Sequence, residues 1–327
     1  MSKTWGQGSG FRVQVARSMF DVECSMFAFI RVVRVIRMLR KVTSPFIPAL
    51  LAAGFPMKPD TKKAIKKWAK RIAIDGLVIV VAQYLIVLFA STFLLNSILF
   101  QPHEPEYTWQ TPYIINIGDE GMPVAAYWQP HTNAIATLLY SHGNAEDIGD
   151  LREVFNALAQ SGISVLAYDY PGYGLSGGKP SENRCYEAAE KCYSFLTSQK
   201  KIKPEDIIIL GRSVGSGPAC YLAEKYPVRG LVLESGFLSA QRVLTRVRLL
   251  PIDTFPNIER IKAISCRKLF IHGTHDSVIP FWHGKKMYEL STGMKQVHWV
   301  PEAGHDDLLL CIGLESYTKR IKEFSGK

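Results

Sequence analysis

The chain has 327 residues, of which 47% are hydrophobic and 21% charged, so it is long and apolar enough for one large globular domain plus a further segment. Its net charge of +10 lies in the amino-terminal segment, because residues 1–71 hold 15 basic and three acidic residues, whereas residues 101–327 hold 24 and 25. A basic surface for nucleic acid on the main body is therefore excluded.

The charge pattern of residues 1–75 predicts a basic segment, or arm, that lies close to a membrane. Four arginines recur every three residues among apolar side chains: Arg31, Arg34, Arg37 and Arg40. This pattern is typical of a helix that lies in a membrane interface, with its arginines reaching the anionic head groups. A solvated helix, or a helix packed on the body, is the alternative.

Residues 76–100 form an apolar run of 25 residues without a formal charge. Because about 20 apolar residues cross the hydrocarbon core, we expect a transmembrane helix here, with a buried core helix as the alternative. Basic residues precede the run and acidic residues follow it, which places the amino terminus in the cytoplasm and the body on the other side. Five of the six cysteines lie in the body, so at least one is unpaired. This favours a reducing compartment and leaves the side of the body open.

Residues 101–327 alternate between short apolar runs and amphipathic segments. The predicted strands are 122–129, 136–142, 164–169, 207–210, 230–233, 268–272 and 296–300. The predicted helices are 150–160, 182–197, 214–225 and one after each of the last two strands. This alternation predicts an α/β domain with a mostly parallel sheet and helices on both faces.

The run at 207–210 is followed by Gly-Arg-Ser-Val-Gly, a G-x-S-x-G motif at 211–215. In a strand–turn–helix context, this motif holds its serine in a strained conformation at the carboxyl edge of the sheet. The flanking glycines allow the neighbouring chain to approach closely. Ser213 is therefore the candidate nucleophile.

A serine nucleophile needs a base and an acid that orients the base. The downstream histidines are His272, His275, His283, His298 and His305. We predict His305 as the base, because it follows the last strand in a glycine-containing loop. Asp276 follows strand 268–272 and is the predicted acid. Glu234, at the end of the preceding strand, is the alternative acid.

The tetrahedral intermediate needs two backbone N–H donors. We predict the N–H of Val214, which follows the nucleophile, and the N–H of Asn144 in the turn after strand 136–142. The sequence predicts no cofactor and no metal, since its cysteines lack metal-ligand spacing.

Six segments in this order resemble the α/β-hydrolase superfamily, and more narrowly its membrane-associated α/β-hydrolase-domain group, which includes protein depalmitoylases and bacterial single-span relatives: Ser141–Ala145, Tyr168–Gly174, Gly211–Gly215, Phe255–Ile258, His272–Asp276 and Gly304–Asp306. The resemblance implies a Ser213–His305–Asp276 triad that hydrolyses acyl esters or acyl-thioesters. The mammalian depalmitoylases carry a cysteine-rich amino-terminal tail, whereas this arm has only Cys24, so an apolar span is expected to replace lipidation as the anchor.

These features predict an α/β-hydrolase fold with a minimal cap, preceded by an arm (1–75) and a membrane helix (76–100). The expected partners are membrane lipids and an acylated lipid or protein substrate. About 35 residues separate strands 230–233 and 268–272, which leaves room for one or two short helices and an apolar rim at 249–252 and Phe255. The alternatives are a prolyl-type serine peptidase and an inactive membrane scaffold.

Overall fold

A computed structural model describes residues 59–245 and 253–326. The arginine repeat at 31–40 and the apolar rim at 249–252 lie outside the described residues. The chain divides into two compact units, Met1–Ala90 and Ser91–Lys327. The hydrolase domain expected at 101–327 lies within the second unit.

Helix α1 runs from Pro59 to Leu99. It therefore begins well before Gly76 and includes the lysine- and arginine-rich residues 62–71. Of the residues that the structure describes, none belongs to a helix with the length and apolar character needed to cross a membrane. The membrane span predicted at 76–100 is not supported.

The second unit contains an eight-stranded sheet with the order β1-β2-β4-β3-β5-β6-β7-β8. The strands are β1 (Ile114–Asn116), β2 (Ala125–Gln129), β3 (Ala136–Ser141), β4 (Ile163–Tyr168), β5 (Ile207–Arg212), β6 (Gly230–Glu234), β7 (Arg267–Gly273) and β8 (Lys295–Val300). Strands β1 and β2 pair antiparallel, as do β2 and β4, and all other pairs are parallel. The predicted mostly parallel sheet is confirmed.

The helices that accompany the sheet are α2 (Arg152–Gln160), α3 (Glu182–Ser194), α4 (Ser216–Lys225), α5 (Ala240–Thr245), α6 (Asn257–Ala263), α7 (Trp282–Leu290), α8 (Leu308–Ile312) and α9 (Leu314–Ser325). They cover both faces, because two separate apolar clusters lie on the two sides of the sheet. Every residue of β3 is buried, as expected for a central strand covered by helices on both faces. Because both faces of the sheet are covered, a functional site is expected at the strand ends and in the loops that follow them.

Strand β1 and one helix ending differ from the sequence prediction. Strand β1 has only three residues, so its apolar pattern is too short to be recognised. The predicted helix 182–197 ends as an α-helix at Ser194 and continues as a π-helix over Phe195–Gln199. Between β6 and β7 the described residues form the two short helices α5 and α6.

Candidate active site

Ser213 lies at the turn between strand β5 and helix α4. Its φ angle is +51°, in the left-handed region that costs a non-glycine residue on the order of 1 kcal/mol or more. A short 3₁₀ turn, Ser213–Gly215, leads from the strand directly into α4. The strained turn predicted from the G-x-S-x-G motif is therefore present at the carboxyl edge of the sheet.

The two glycines of the motif allow close backbone packing around this turn. A Cβ added to Gly215 would overlap the carbonyl oxygen of Ser141 and lie 2.6 Å from that of His142. A Cβ added to Gly211 would overlap the carbonyl oxygen of Gly215 and lie 2.6 Å from the Cβ of Ala219. The end of β3 and the start of α4 thus reach contact distance only because both side chains are absent.

The structure brings together the three side chains that the sequence proposed as a triad. The Oγ of Ser213 lies 3.1 Å from Nε2 of His305, and Nδ1 of His305 lies 2.7 Å from Oδ2 of Asp276. The other oxygen of Asp276 accepts the backbone N–H groups of Val278 and Ile279 at 3.0 and 2.7 Å. The carboxylate is fully buried, while the histidine and serine retain a small exposed area. This arrangement can carry a proton from the serine hydroxyl to the imidazole.

Asp276 stays ionised in this site. Burial by itself raises the pKa of the Asp276 carboxyl, but the hydrogen bond and charge of His305 and the N–H of Ile279 outweigh it. The pKa of Asp276 is therefore lower than its ordinary value. An ionised acceptor holds the Nδ1–H tautomer of His305 and leaves Nε2 free to accept a proton.

The lowered pKa of Asp276 predicts a pH-dependent contribution to stability. A carboxyl whose pKa is depressed by folding stabilises the folded state above its unfolded pKa of about 3.9, and this contribution is lost as the pH falls through the folded value. Asp276→Asn is therefore expected to lower the free energy of unfolding at pH 7, and its difference from wild type should be smaller at pH 3. Urea unfolding at both pH values measures this. A difference from wild type that is the same at both would contradict it.

The loop after β3 lies beside Ser213. A Cβ built on Gly143 would be 3.7 Å from the Cβ of Ser213. The side-chain oxygen of Asn144 accepts the N–H of Gln101 at 2.8 Å and the hydroxyl of Tyr173 at 2.7 Å. Asn144 follows Gly143 in this loop, and Val214 follows Ser213 in the 3₁₀ turn. Both predicted donors therefore belong to loops that meet at Ser213.

Comparison with known proteins assigns the family. A family model described as serine aminopeptidase, S33, matches residues 132–258. Human alpha/beta hydrolase domain-containing protein 17B is 38% identical over 195 residues, which are 59% of this chain and 67% of that protein. The chain therefore belongs to the same α/β-hydrolase family as this human protein. The worm protein aho-3, an alpha/beta hydrolase domain-containing protein from Caenorhabditis elegans, is 38% identical over 60% of this chain and 59% of its own length.

Solved structures agree with this assignment at the level of the fold. An esterase from Pyrococcus furiosus superposes with a TM-score of 0.56 and 17% identity, over 69% of this chain and 96% of the esterase. An α/β hydrolase from Vibrio vulnificus gives a TM-score of 0.51 and 20% identity, over 64% of this chain and 80% of that structure. The predicted α/β-hydrolase fold is confirmed.

In this α/β-hydrolase domain, the alternative acid Glu234 pairs with Arg212 and Tyr317, and not with His305. Its carboxylate is 3.1 Å from Nε of Arg212 and accepts the hydroxyl of Tyr317 at 2.8 Å. Burial raises the pKa of Glu234, and the charge of Arg212 opposes this shift. The alternative acid of the sequence analysis thus contacts the residue before the nucleophile rather than the histidine.

Several groups that support the α/β-hydrolase site were not predicted from the sequence. The hydroxyl of Tyr170 donates to the carbonyl of His142 at 2.6 Å, and Tyr173 and Gln101 hold the Asn144 side chain. The aromatic residues lie in the turn after β4, within the segment Tyr168–Gly174 that carried the family resemblance. The only hint in the sequence was that Tyr170 and Tyr173 follow β4, a strand predicted to lie in the same sheet as β3.

His283, another of the downstream histidines, lies at the start of helix α7. It is completely buried, and its Nδ1 accepts the N–H of Leu238 at 3.2 Å. Burial lowers the pKa of His283 to about 3, so the ring is neutral.

One group of side chains in the described residues has the spacing of a metal site. Ligand atoms of His103, Asp147 and Asp150 lie within 4.8 Å of one another. His103 and Asp150 already form an ion pair at 3.0 Å, which accounts for their proximity.

Proposed function

We propose that this α/β hydrolase is a serine hydrolase that cleaves acyl esters or acyl-thioesters of lipids or proteins through Ser213, His305 and Asp276. The observation that carries the proposal is the continuous hydrogen-bonded chain from the Ser213 hydroxyl through His305 to the ionised Asp276. This chain begins at the strained turn of Ser213, next to the loops that carry the proposed N–H donors Asn144 and Val214. Nucleophilic acyl transfer needs these groups at this spacing.

In the proposed reaction, Nε2 of His305 takes the proton of the Ser213 hydroxyl as Oγ attacks the acyl carbon. The backbone N–H groups of Asn144 and Val214 donate to the resulting oxyanion. His305 then protonates the departing alkoxide or thiolate, which leaves an acyl group on Ser213. Water attacks this acyl-enzyme with His305 again as the base. The bond from the acyl carbon to Oγ then breaks, His305 returns the proton to Oγ of Ser213, and the carboxylic acid product departs.

We also propose that the amino-terminal segment holds the enzyme at a membrane. Two observations support this. Large apolar side chains of α1 are exposed, with Leu77 at 63%, Ile86 at 66% and Phe89 at 68%. The excess of basic over acidic residues lies before and at the start of this helix, in residues 1–71. Flotation of the full chain with anionic vesicles tests the proposal, and failure to float with them would contradict it.

Activity-based profiling tests the proposed chemistry. We expect a fluorophosphonate probe to label the wild type and Ser291→Ala, and not Ser213→Ala. Ser291 is a matched control, since it is also a buried serine, but its hydroxyl donates to the carbonyl of Tyr288. An acyl-chain series then compares esters, thioesters and aminoacyl amides. Faster cleavage of the amides would favour a peptidase, and turnover of acetyl substrates alone would contradict an acyl-chain hydrolase.

The two candidate acids give different expected results. Asp276→Asn should lower kcat by about 10⁴-fold, because an amide in place of the carboxylate favours the wrong His305 tautomer. Glu234→Gln should lower kcat by no more than about tenfold, because Glu234 has no hydrogen bond to His305 and affects the reaction only through neighbouring groups. Steady-state kinetics of both variants measures this. The reverse order would assign the acid role to Glu234.

A further inference from the structure

The loop that carries Asn144 is closed by a side chain of its own. The N–H of Gly143 donates to Oε1 of Glu146, so this carboxylate spans the turn in which Asn144 lies. Ala145, between the two, has a φ angle of +55°, which is unfavourable for a residue with a Cβ. A turn that contains such a residue persists only if surrounding contacts hold it.

Glu146 also connects this turn to the nucleophile. Its second oxygen, Oε2, forms an ion pair with Nη1 of Arg212, the residue immediately before Ser213. Both side chains are mostly buried, at 14% exposure for Glu146 and 19% for Arg212. One carboxylate therefore binds the Asn144 turn through one oxygen and the Ser213 turn through the other.

The guanidinium of Arg212 is itself held from the opposite side. Its Nε lies 3.1 Å from Glu234 at the end of β6, and Tyr317 of α9 donates to the other oxygen of Glu234. The charge of Glu146 raises the pKa of Arg212, so the guanidinium remains charged. The planar fork of an arginine can bind two carboxylates in fixed directions, which a lysine cannot do.

We propose that Glu146 and Arg212 are positioning residues, which set the distance between the backbone N–H groups of Asn144 and Val214 and so hold the oxyanion site in its active geometry. This inference rests on the proposed serine hydrolase function. Neither side chain belongs to the proposed triad. Both act through the two loops that they join.

The expected signature is a loss of transition-state stabilisation with little loss of substrate binding. Glu146→Gln retains an acceptor for the N–H of Gly143 but loses the ion pair with Arg212. Because a misplacement of about 1 Å can cost roughly 100-fold in rate, we expect kcat to fall about 10- to 100-fold with KM within about twofold of wild type. The double variant Glu146→Gln/Arg212→Met should be no slower than the slower single variant, since the two groups act as a unit.

A matched control lies at the other end of the same strand. Asp206 precedes β5 and pairs with Arg229 at 2.6 Å, and the Arg229 side chain is 9% exposed. Asp206→Asn thus removes one carboxylate from a comparable arginine, far along β5 from Ser213. We expect this variant to keep the wild-type kcat.

The experiment measures kcat and KM on a medium-chain ester, with active sites titrated by the fluorophosphonate so that unfolded protein is not counted. It also measures inhibition by an alkyl trifluoromethyl ketone, to which Ser213 adds and forms an oxyanion. The inhibitor affinity of Glu146→Gln should fall in proportion to its kcat. Glu146→Asp, which keeps the charge but shortens the reach, gives a second variant with the same expected direction.

Two outcomes separate the inference from the proposed function. If the wild type is active and both Glu146 variants keep full kcat and inhibitor affinity per titrated site, the positioning role is wrong and the proposed function stands. If the wild type neither reacts with the probe nor cleaves the ester, the proposed function is wrong and the positioning role is overturned with it.

Discussion

Ser213→Ala is expected to lower kcat on an acyl ester by about 10³- to 10⁶-fold, with KM little changed. The substitution removes the oxygen that forms the acyl-enzyme in the proposed reaction, while the loops around it keep their backbone. The residual rate would come from substrate binding and from the N–H groups of Asn144 and Val214. Steady-state hydrolysis by the purified variant measures the loss.

The double variant Ser213→Ala/His305→Ala sharpens this prediction. The two residues form one proton path, so the second substitution should add little to the first. Ser291→Ala serves again as the control and should retain wild-type kcat. A loss below about tenfold in Ser213→Ala would mean that another group performs the chemistry.

Gly215→Ala is expected to cost about 3 kcal/mol or more in the free energy of unfolding. The added Cβ would overlap the carbonyl oxygen of Ser141 and lie 2.6 Å from that of His142. The oxygen of Ser141 belongs to the last residue of β3, and His142 follows it directly. Strand β3 is paired with β4 and β5, so its end cannot move without breaking the sheet. A change of this size corresponds to a fall in Tm on the order of 10 °C in a domain of this length.

Gly121→Ala provides the control for this substitution. Gly121 has no heavy atom within 4 Å of an added Cβ, and its φ angle is not in the left-handed region. The Tm of Gly121→Ala should therefore stay within about 2 °C of wild type, as for most surface substitutions. Calorimetry of the two variants measures both values. Equal Tm values would contradict the close packing at the nucleophile turn.

The central strands could be predicted from the sequence because their burial is nearly continuous. All six residues of β3 and the first five of β5 are buried, which produces apolar runs with clear ends. Strand β1 contains three residues and ends on a polar Asn116, so it carries no comparable pattern. It forms because β2 offers a free edge, and such tertiary pairing cannot be read from a short segment.

The candidate triad could be predicted because each member follows a strand that the sequence identifies. Ser213, Asp276 and His305 lie after β5, β7 and β8, and parallel strands bring their carboxyl ends to one edge. Glu146 was different, since its partner Arg212 lies 66 residues away and ion pairs at that separation leave no local pattern. A carboxylate three residues after Gly143 was the one available signal, as side chains at this spacing often accept a backbone N–H.

The most direct test of this account is to trap the acyl-enzyme. The full chain is mixed with a medium-chain acyl-thioester, quenched in acid within milliseconds and digested for mass spectrometry. We expect the mass of the acyl group on the peptide that contains Ser213, and its absence from that peptide in Ser213→Ala. Turnover without an adduct on Ser213, or an adduct only on another nucleophile such as the exposed Cys311, would contradict the proposed mechanism.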